Sequence, residues 1–206
     1  MNAQQYNEQT MKGLFHKIYP VIAQQALTRT GVHEGVCIDL GGGPGMLGIR
    51  IAEASHLQVT IVDPLIECLT LAQDNIQEYG LNERVNTQLG QAESLPFDNG
   101  SVDLVVSRGS IFFWEDQRQG LREIFRVLRP GGWAFVGGGF GNKTLQNEIF
   151  TEKANDEKWH QGRKARIRKN PPEHFRAMLA ELAIDGVVDS GDAGTWILFQ
   201  RPEPSA

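Results

Sequence analysis

Four of the five residues from Gly41 to Gly45 are glycine, and they stand directly behind a short apolar run, Val36 to Leu40. A bend without side chains lets backbone pass close to a ligand, and the helical period that follows, Met46 to Ala54, completes a strand, loop and helix unit. A tight turn that serves only the chain needs one such glycine, so four of them argue that something is bound there. The same alternation continues downstream. Val59 to Val62 reads as a second buried strand ending in Asp63; Pro64 suits a helix start, Leu65, Leu69, Ala72 and Ile76 mark that helix's apolar face, and Gly80 ends it. Val85 to Leu89 is a third strand, Leu95 to Gly100 a turn, and Val102 to Val106 a fourth strand, apolar apart from Asp103 as expected when both faces are covered.

Leu121, Ile124, Phe125 and Leu128 follow helical spacing; Pro130-Gly131-Gly132 is expected to stop that helix before a fifth strand at Trp133 to Val136. From Asn142 to Asn170 the chain is polar and charged, with helical potential only around Leu145 to Phe150. Glu173 to Leu182 is a firmer helix, and Asn170-Pro171-Pro172 reads as its start. Two last strands, Gly186 to Ser190 and Thr195 to Gln200, flank Gly191-Asp192-Ala193-Gly194 and so form an antiparallel hairpin. Strands that alternate with helices need crossover connections. The fold class is therefore α/β: a Rossmann-like, doubly wound, seven-stranded sheet, mostly parallel with an antiparallel C-terminal hairpin.

With 206 residues the chain suits one domain. Its 20 basic against 25 acidic residues give a net charge of −5, which argues against a general binder of nucleic acid or anionic membrane. No apolar run approaches the ~20 residues of a membrane span. The first thirty residues hold no continuous apolar stretch of the secretory kind, so a cytoplasmic location is expected. Cys37 and Cys68 have no partner at metal or redox spacing and read as buried thiols; no metal is expected.

Two ligand classes compete for the glycine loop. Gly43-x-Gly45-x-x-Gly48, with Asp63 twenty residues beyond Gly43, satisfies the dinucleotide fingerprint. Asp39, two residues before Gly41, tilts the choice, because a carboxylate there repels a pyrophosphate and attracts the ammonium of an amino-acid-like ligand.

Four pieces in order then carry a resemblance: Val36-Cys37-Ile38-Asp39-Leu40-Gly41-Gly42-Gly43-Pro44-Gly45, Thr60-Ile61-Val62-Asp63, Gly90-Gln91-Ala92-Glu93-Ser94-Leu95-Pro96-Phe97, and Phe125-Arg126-Val127-Leu128-Arg129-Pro130-Gly131-Gly132. Between about Val36 and Val136 the chain resembles the class I S-adenosylmethionine-dependent methyltransferases, in the small-molecule branch related to ubiquinone and menaquinone biosynthesis. The resemblance implies S-adenosyl-L-methionine as cofactor and a small-molecule methyl acceptor. It places the methionine part on Asp39, Gly41, Gly42, Gly43 and Gly45, the ribose hydroxyls on Asp63, and the adenine against Pro64 and Leu65. In that branch an Asp-Ala pair after strand three reads the adenine edge; here the acidic position is Gln91, followed by Ala92, with Glu93 as a substitute reader. Ser107 would border the transferring methyl. The implied division is an N-terminal helical lid over 1–34, a cofactor core over 36–140, a variable substrate-side insertion over 141–172, and a closing helix and hairpin over 173–206.

A methyl on a sulfonium is already activated, so alignment and exclusion of water are the main requirements, and no catalytic residue is assigned. His16 and Tyr19 lie in an amphipathic stretch (Met11, Leu14, Phe15, Ile18) that could cover the cofactor. His33 and His56 read as solvent-facing loop residues, and His160 and His174 carry no clear signal. The expected substrate wall follows strand four: Arg108, Phe112 and Trp114, with Tyr19 from the N-terminal stretch. Either ring could instead anchor the next helix, and Arg108 could hold an acidic substrate group, hold the cofactor carboxylate, or form a structural salt bridge. Asn170-Pro171-Pro172 lies too far past strand four to be the nitrogen-gripping motif of amino methyltransferases. The five basic residues between Arg163 and Lys169 read as a solvated face. Methylation of nucleic acid is a minority reading. The alternatives are a NAD-dependent oxidoreductase and a non-catalytic S-adenosylmethionine-binding module.

Overall fold

The computed structural model describes residues 2–191 and 193–204. Its sheet has seven strands in the order β3-β2-β1-β4-β5-β7-β6. β1 (Glu34–Leu40), β2 (His56–Asp63), β3 (Val85–Leu89), β4 (Val102–Arg108) and β5 (Leu128–Gly139) run parallel; β7 (Gly194–Gln200) lies antiparallel between β5 and β6 (Gly186–Gly191), so it alone runs against the others. The sheet winds outward from β1 both ways, through β2 to β3 and through β4 to β5, which puts its switch point at the end of β1, where the glycine loop begins. The C-terminal hairpin agrees with its sequence signal, although Asp192 in its turn lies outside the described residues.

Alternation along each strand divides the apolar side chains between two layers. Cys37, Leu104, Val106, Phe135, Trp196 and Leu198 face one layer, covered by α2 (Ile18–Thr30), α3 (Met46–Glu53) and α4 (Ile66–Glu78). Ile38, Val105, Ala134, Val136, Ile197 and Phe199 face the other, covered by α5 (Gln117–Val127) and α8 (Pro172–Glu181). Both cysteines are buried free thiols. Asp103, the polar residue of β4, takes the Val36 N–H at 2.7 Å and pairs with Arg129, so its carboxylate is spent on the sheet.

Three boundaries differ from the sequence expectation. The amphipathic stretch around Met11 to Ile18 is not one helix: α1 (Ala3–Met11) ends there and α2 starts at Ile18, with a turn between. The period survives because both sides of the turn bury apolar residues, Met11, Phe15 and Ile18 among them, in the same layer. The helix before β5 ends at Val127, ahead of Pro130-Gly131-Gly132. Leu128 is already extended, and the three residues instead bulge out of β5, so that Val102 faces Leu128 but Leu104 faces Trp133. The polar segment after residue 140 holds two helices, α6 (Lys143–Glu152) and α7 (Glu157–Lys169). None of the residues of α7 is buried, so its sequence carries no apolar period.

α1 is tied to the glycine loop through one buried amide. Asn75 Nδ2, on α4, donates to Asn7 Oδ1 at 2.7 Å and to the Pro44 carbonyl at 2.8 Å. Asn75→Ala would leave both acceptors without a donor, and urea denaturation should show a loss of about 1–3 kcal/mol, with faster amide exchange across α1.

Candidate functional site

The site is built where β1 and β2 end. Gly41 and Gly42 both send their N–H groups back to the Val62 carbonyl, at 2.7 and 3.2 Å. Gly45 donates to Gly42 O at 2.9 Å, and Gly43 donates to Asp63 Oδ2 at 2.9 Å. Gly48, in the first turn of α3, donates to Asp39 Oδ2 at 2.8 Å. The loop therefore spends its amide donors internally, and a carboxylate already caps α3. A pyrophosphate needs free N–H groups at that helix end and would meet the Asp39 charge there. What the loop leaves for a ligand is acceptors and space, which suits a cation with an ammonium and no phosphate.

Glycine is required at two positions in particular. Gly41 has φ +64°, and a Cβ on it would lie 2.2 Å from Ser110 Cβ. Gly45 has φ +84°, and a Cβ there would lie 2.4 Å from Ile61 Cδ1. Any side chain at either place is strained and crowded at once.

Asp39 is 1% exposed. Burial raises its pKa to about 7, against the lowering effect of the Gly48 N–H and with a further push from Asp63. Its Oδ1 makes no hydrogen bond among the described residues, leaving that oxygen for a cationic ligand. Asp63, at the end of β2, accepts the Gly43 N–H on one oxygen and the Leu65 N–H on the other, at 2.9 and 3.0 Å. Burial raises its pKa too, offset by those two bonds. Each oxygen keeps a second lone-pair direction, so the carboxylate can still take two hydroxyl donors. Pro64 is exposed beside it, and Leu65, Ile66 and Leu89 form an exposed apolar rim at the ends of β2 and β3. The donor set and the rim fit S-adenosylmethionine.

Gln91 is exposed on the same edge, in a small bridge with Ser94, and Ala92 is buried beneath it. Glu93 instead accepts the Asp116 N–H at 3.1 Å, so its carboxylate serves the start of α5. Ser107 is fully buried and meets Ser110 Oγ at 2.6 Å; Ser110 in turn reaches the Leu40 carbonyl at 3.0 Å. This pair of hydroxyls joins the end of β4 to the entry of the glycine loop.

The expected substrate wall divides. Phe112 packs on Phe175 with ring centroids 6.3 Å apart, and Trp114 lies against Gly120 of α5 while its Nε1 donates to Ser110 Oγ at 3.1 Å. Both rings anchor structure beside the site, and the ring left open is Phe113, 70% exposed beneath Arg166. Tyr19 and Arg108 do come together: Arg108 Nη1 lies 3.4 Å from the Tyr19 hydroxyl. Burial holds the Tyr19 pKa well above its usual value, so it stays a neutral donor and is no general base near pH 7.

The histidines stand apart from the loop. His16 approaches Arg50 on the last turn of α3, at 3.5 Å. His33, just before β1, and His56, which opens β2, are both exposed. His160 reaches the Lys153 carbonyl at 2.9 Å, and His174 reaches Gln117 Oε1 at 2.8 Å. Within the basic run, Arg163 lies over Phe150 and Arg166 over Phe113, while Lys164, Arg168 and Lys169 are exposed.

Two participants carry no mark in the sequence. Tyr6 on α1 lies across the loop, since a Cβ on Gly43 would sit 3.4 Å from its Cε1, and its hydroxyl is 3.2 Å from that of Tyr19. Ser110 is the hub of three hydrogen bonds under Gly41. Tyr6 sits in a polar helix without apolar spacing, and only the capping box of Asn2 and Gln5 marks that helix in the sequence.

Comparison with known proteins agrees with this geometry. The family described as a methyltransferase domain matches residues 37–132. A rice 2-methyl-6-phytyl-1,4-hydroquinone methyltransferase is 38% identical over 104 residues, a match covering 50% of this chain and 30% of that enzyme. The ubiquinone/menaquinone biosynthesis C-methyltransferase UbiE of a Marinomonas species is 27% identical over 129 residues, covering 61% of this chain and 50% of that one. These matches leave half or more of either enzyme's length outside the aligned stretch. A crystal structure from Methanococcus maripaludis, assigned to the S-adenosyl-L-methionine-dependent methyltransferases, superposes with a TM-score of 0.93 at 35% identity, covering 99% of this chain and 94% of that one. The chain belongs to the class I S-adenosylmethionine-dependent methyltransferase family, with S-adenosylmethionine as its cofactor.

Proposed function

We propose that this protein moves a methyl group from S-adenosylmethionine to a small organic acceptor that approaches over the ends of β4 and β5. The observation that carries this reading is the pair of carboxylates at the glycine loop, Asp39 on the Gly48 amide of α3 and Asp63 on the Gly43 amide, which put negative charge where a dinucleotide places its pyrophosphate. When bound, S-adenosylmethionine supplies a methyl on a sulfonium that needs no further activation. Asp39 balances the ammonium, Gly41, Gly42, Gly43 and Gly45 leave room for the methionine part, and Asp63 accepts from the ribose. Pro64 and Leu65 lie against the base, whose edge is read by Gln91 and Ala92. Ser107 fixes the loop from below. Tyr19 and Arg108 bound the acceptor side, with Phe112 and Trp114 holding its floor. Residues 2–30 act as a cover that keeps water out. The small-molecule acceptor is supported by relatives named for a hydroquinone and for ubiquinone and menaquinone biosynthesis.

The direct test is incubation with methyl-labelled S-adenosylmethionine and a fractionated cell extract. Label is expected in the low-mass organic fraction; label in RNA, DNA or protein would contradict the reading.

Asp63→Ala should weaken S-adenosylhomocysteine binding by about 1.5–3 kcal/mol in calorimetry, the worth of charge-assisted bonds to the ribose. Unchanged affinity would remove Asp63 from the ribose site.

Asp39 gives a pH dependence with a definite sign. Its folded pKa, about 7, lies above the ordinary carboxylate value of 3.8. The ligand-free protein binds the extra proton, so the contribution of Asp39 to stability is present at low pH and is lost as pH rises toward about 7. Asp39→Asn keeps an acceptor for Gly48 and removes the charge. It should raise the ligand-free melting temperature at pH 8, flatten its decline between pH 5 and 8, and weaken S-adenosylhomocysteine binding.

A further inference from the structure

Arg108 is a half-buried cation with no carboxylate partner among the described residues. Its Nε and Nη2 both donate to the Gly139 carbonyl, at 3.2 and 3.1 Å, and Nη1 approaches the Tyr19 hydroxyl at 3.4 Å. The guanidinium carbon lies 5.7 Å from the Phe15 ring centre and 5.5 Å from that of Tyr19. Carbonyls, hydroxyls and rings satisfy donors and soften the charge, but none of them neutralises it. A guanidinium carries five N–H groups in a plane, and three of these bonds leave donors over on its terminal nitrogens. The hydroxyls of Tyr19 and Tyr6, 3.2 Å apart, extend the same row of donors toward the glycine loop.

The sheet order says which ligand this row faces. Asp63 ends β2 and the glycine loop follows β1, so the cofactor lies across the β3, β2 and β1 ends. Arg108 ends β4 and is fastened to Gly139 at the end of β5, one strand further from the cofactor. We infer that Arg108, with the hydroxyls of Tyr19 and Tyr6, is a carboxylate receptor for the methyl acceptor, and that the acceptor is a small organic acid. This rests on the acceptor approaching over β4 and β5, as proposed above. It separates the acceptor from the hydroquinone for which the rice relative is named. A carboxylate bound end-on to the planar guanidinium gains charge-assisted bonds and fixes the angle at which the rest of the acid enters.

The test uses the full chain labelled with nitrogen-15 in arginine and saturated with S-adenosylhomocysteine. Saturation itself reports whether the cofactor reading holds, independently of the acid titrations. The Arg108 Nε–H signal is identified by its absence in Arg108→Lys. Acetate and benzoate are then titrated, with acetamide and benzamide as neutral controls. The expected result is a saturable shift of that signal by both acids and by neither amide, with benzoate affinity at least about tenfold lower in Arg108→Gln and reduced in Tyr19→Phe. If S-adenosylhomocysteine moves the signal, the carboxylate-free 5′-methylthioadenosine does not, and acids then have no effect, the guanidinium belongs to the cofactor and the inference is wrong. A signal indifferent to every acid would equally overturn it, leaving Arg108 as a clamp between β5 and α2.

Discussion

The structure depends on where the backbone N–H groups behind β1 find their acceptors. A bend made almost wholly of glycine has several amides to satisfy in a short space, and water cannot reach most of them once α1 lies across it. The chain answers with two carbonyls, Val62 O and Gly42 O, and with two carboxylates, Asp39 and Asp63, placed at the ends of neighbouring parallel strands. Because β1 and β2 are in register with Asp39 opposite Ile61 and Leu40 opposite Val62, the loop can fold back on β2 at all. The direction of α3, the room above the loop and the sign of charge offered to a ligand all follow from that arrangement.

Burial makes the charged form of Asp39 unfavourable, the nearby Asp63 carboxylate adds to the effect, and the result is a pKa raised to about 7. The ligand-free protein therefore carries an electrostatic cost at Asp39, which is what the proposed ammonium contact would relieve. Arg108 presents the opposite case across the site, a cation with no carboxylate partner among the described residues. Anionic oxygen over β1 and β2 and a guanidinium between β4 and β5 give the cleft a polarity, and the proposed binding of methyl donor and acid side by side rests on it. The N-terminal segment touches both ends of this polarity, with Tyr6 over Gly43 and Tyr19 beside Arg108.

Much of the frame is readable because burial leaves a pattern. β1, β2, β4 and the helices that cover them announce themselves by apolar period and by the glycines and prolines between them, and Asp39 and Asp63 stand out as charges at strand ends. Legibility fails where burial does. α7 buries nothing and gives no period, and the break between α1 and α2 is hidden because apolar spacing runs on through the turn. Phe112 and Trp114 can be named but not aimed: an aromatic after a strand packs outward or inward according to the volume left by α5 and α8, which no local sequence states. Tyr6, Asn75 and Ser110 act through partners 13 to 70 positions away in the chain, and single polar residues carry no mark of such distant pairings.

The central claim is that the glycine loop selects for a cationic amino-acid ligand and against a pyrophosphate. Titration calorimetry of the wild-type protein with S-adenosylhomocysteine and, separately, with NAD tests it most directly. Micromolar binding of S-adenosylhomocysteine with no heat from NAD is the predicted result; binding of NAD alone would contradict the account and return the loop to the dinucleotide class.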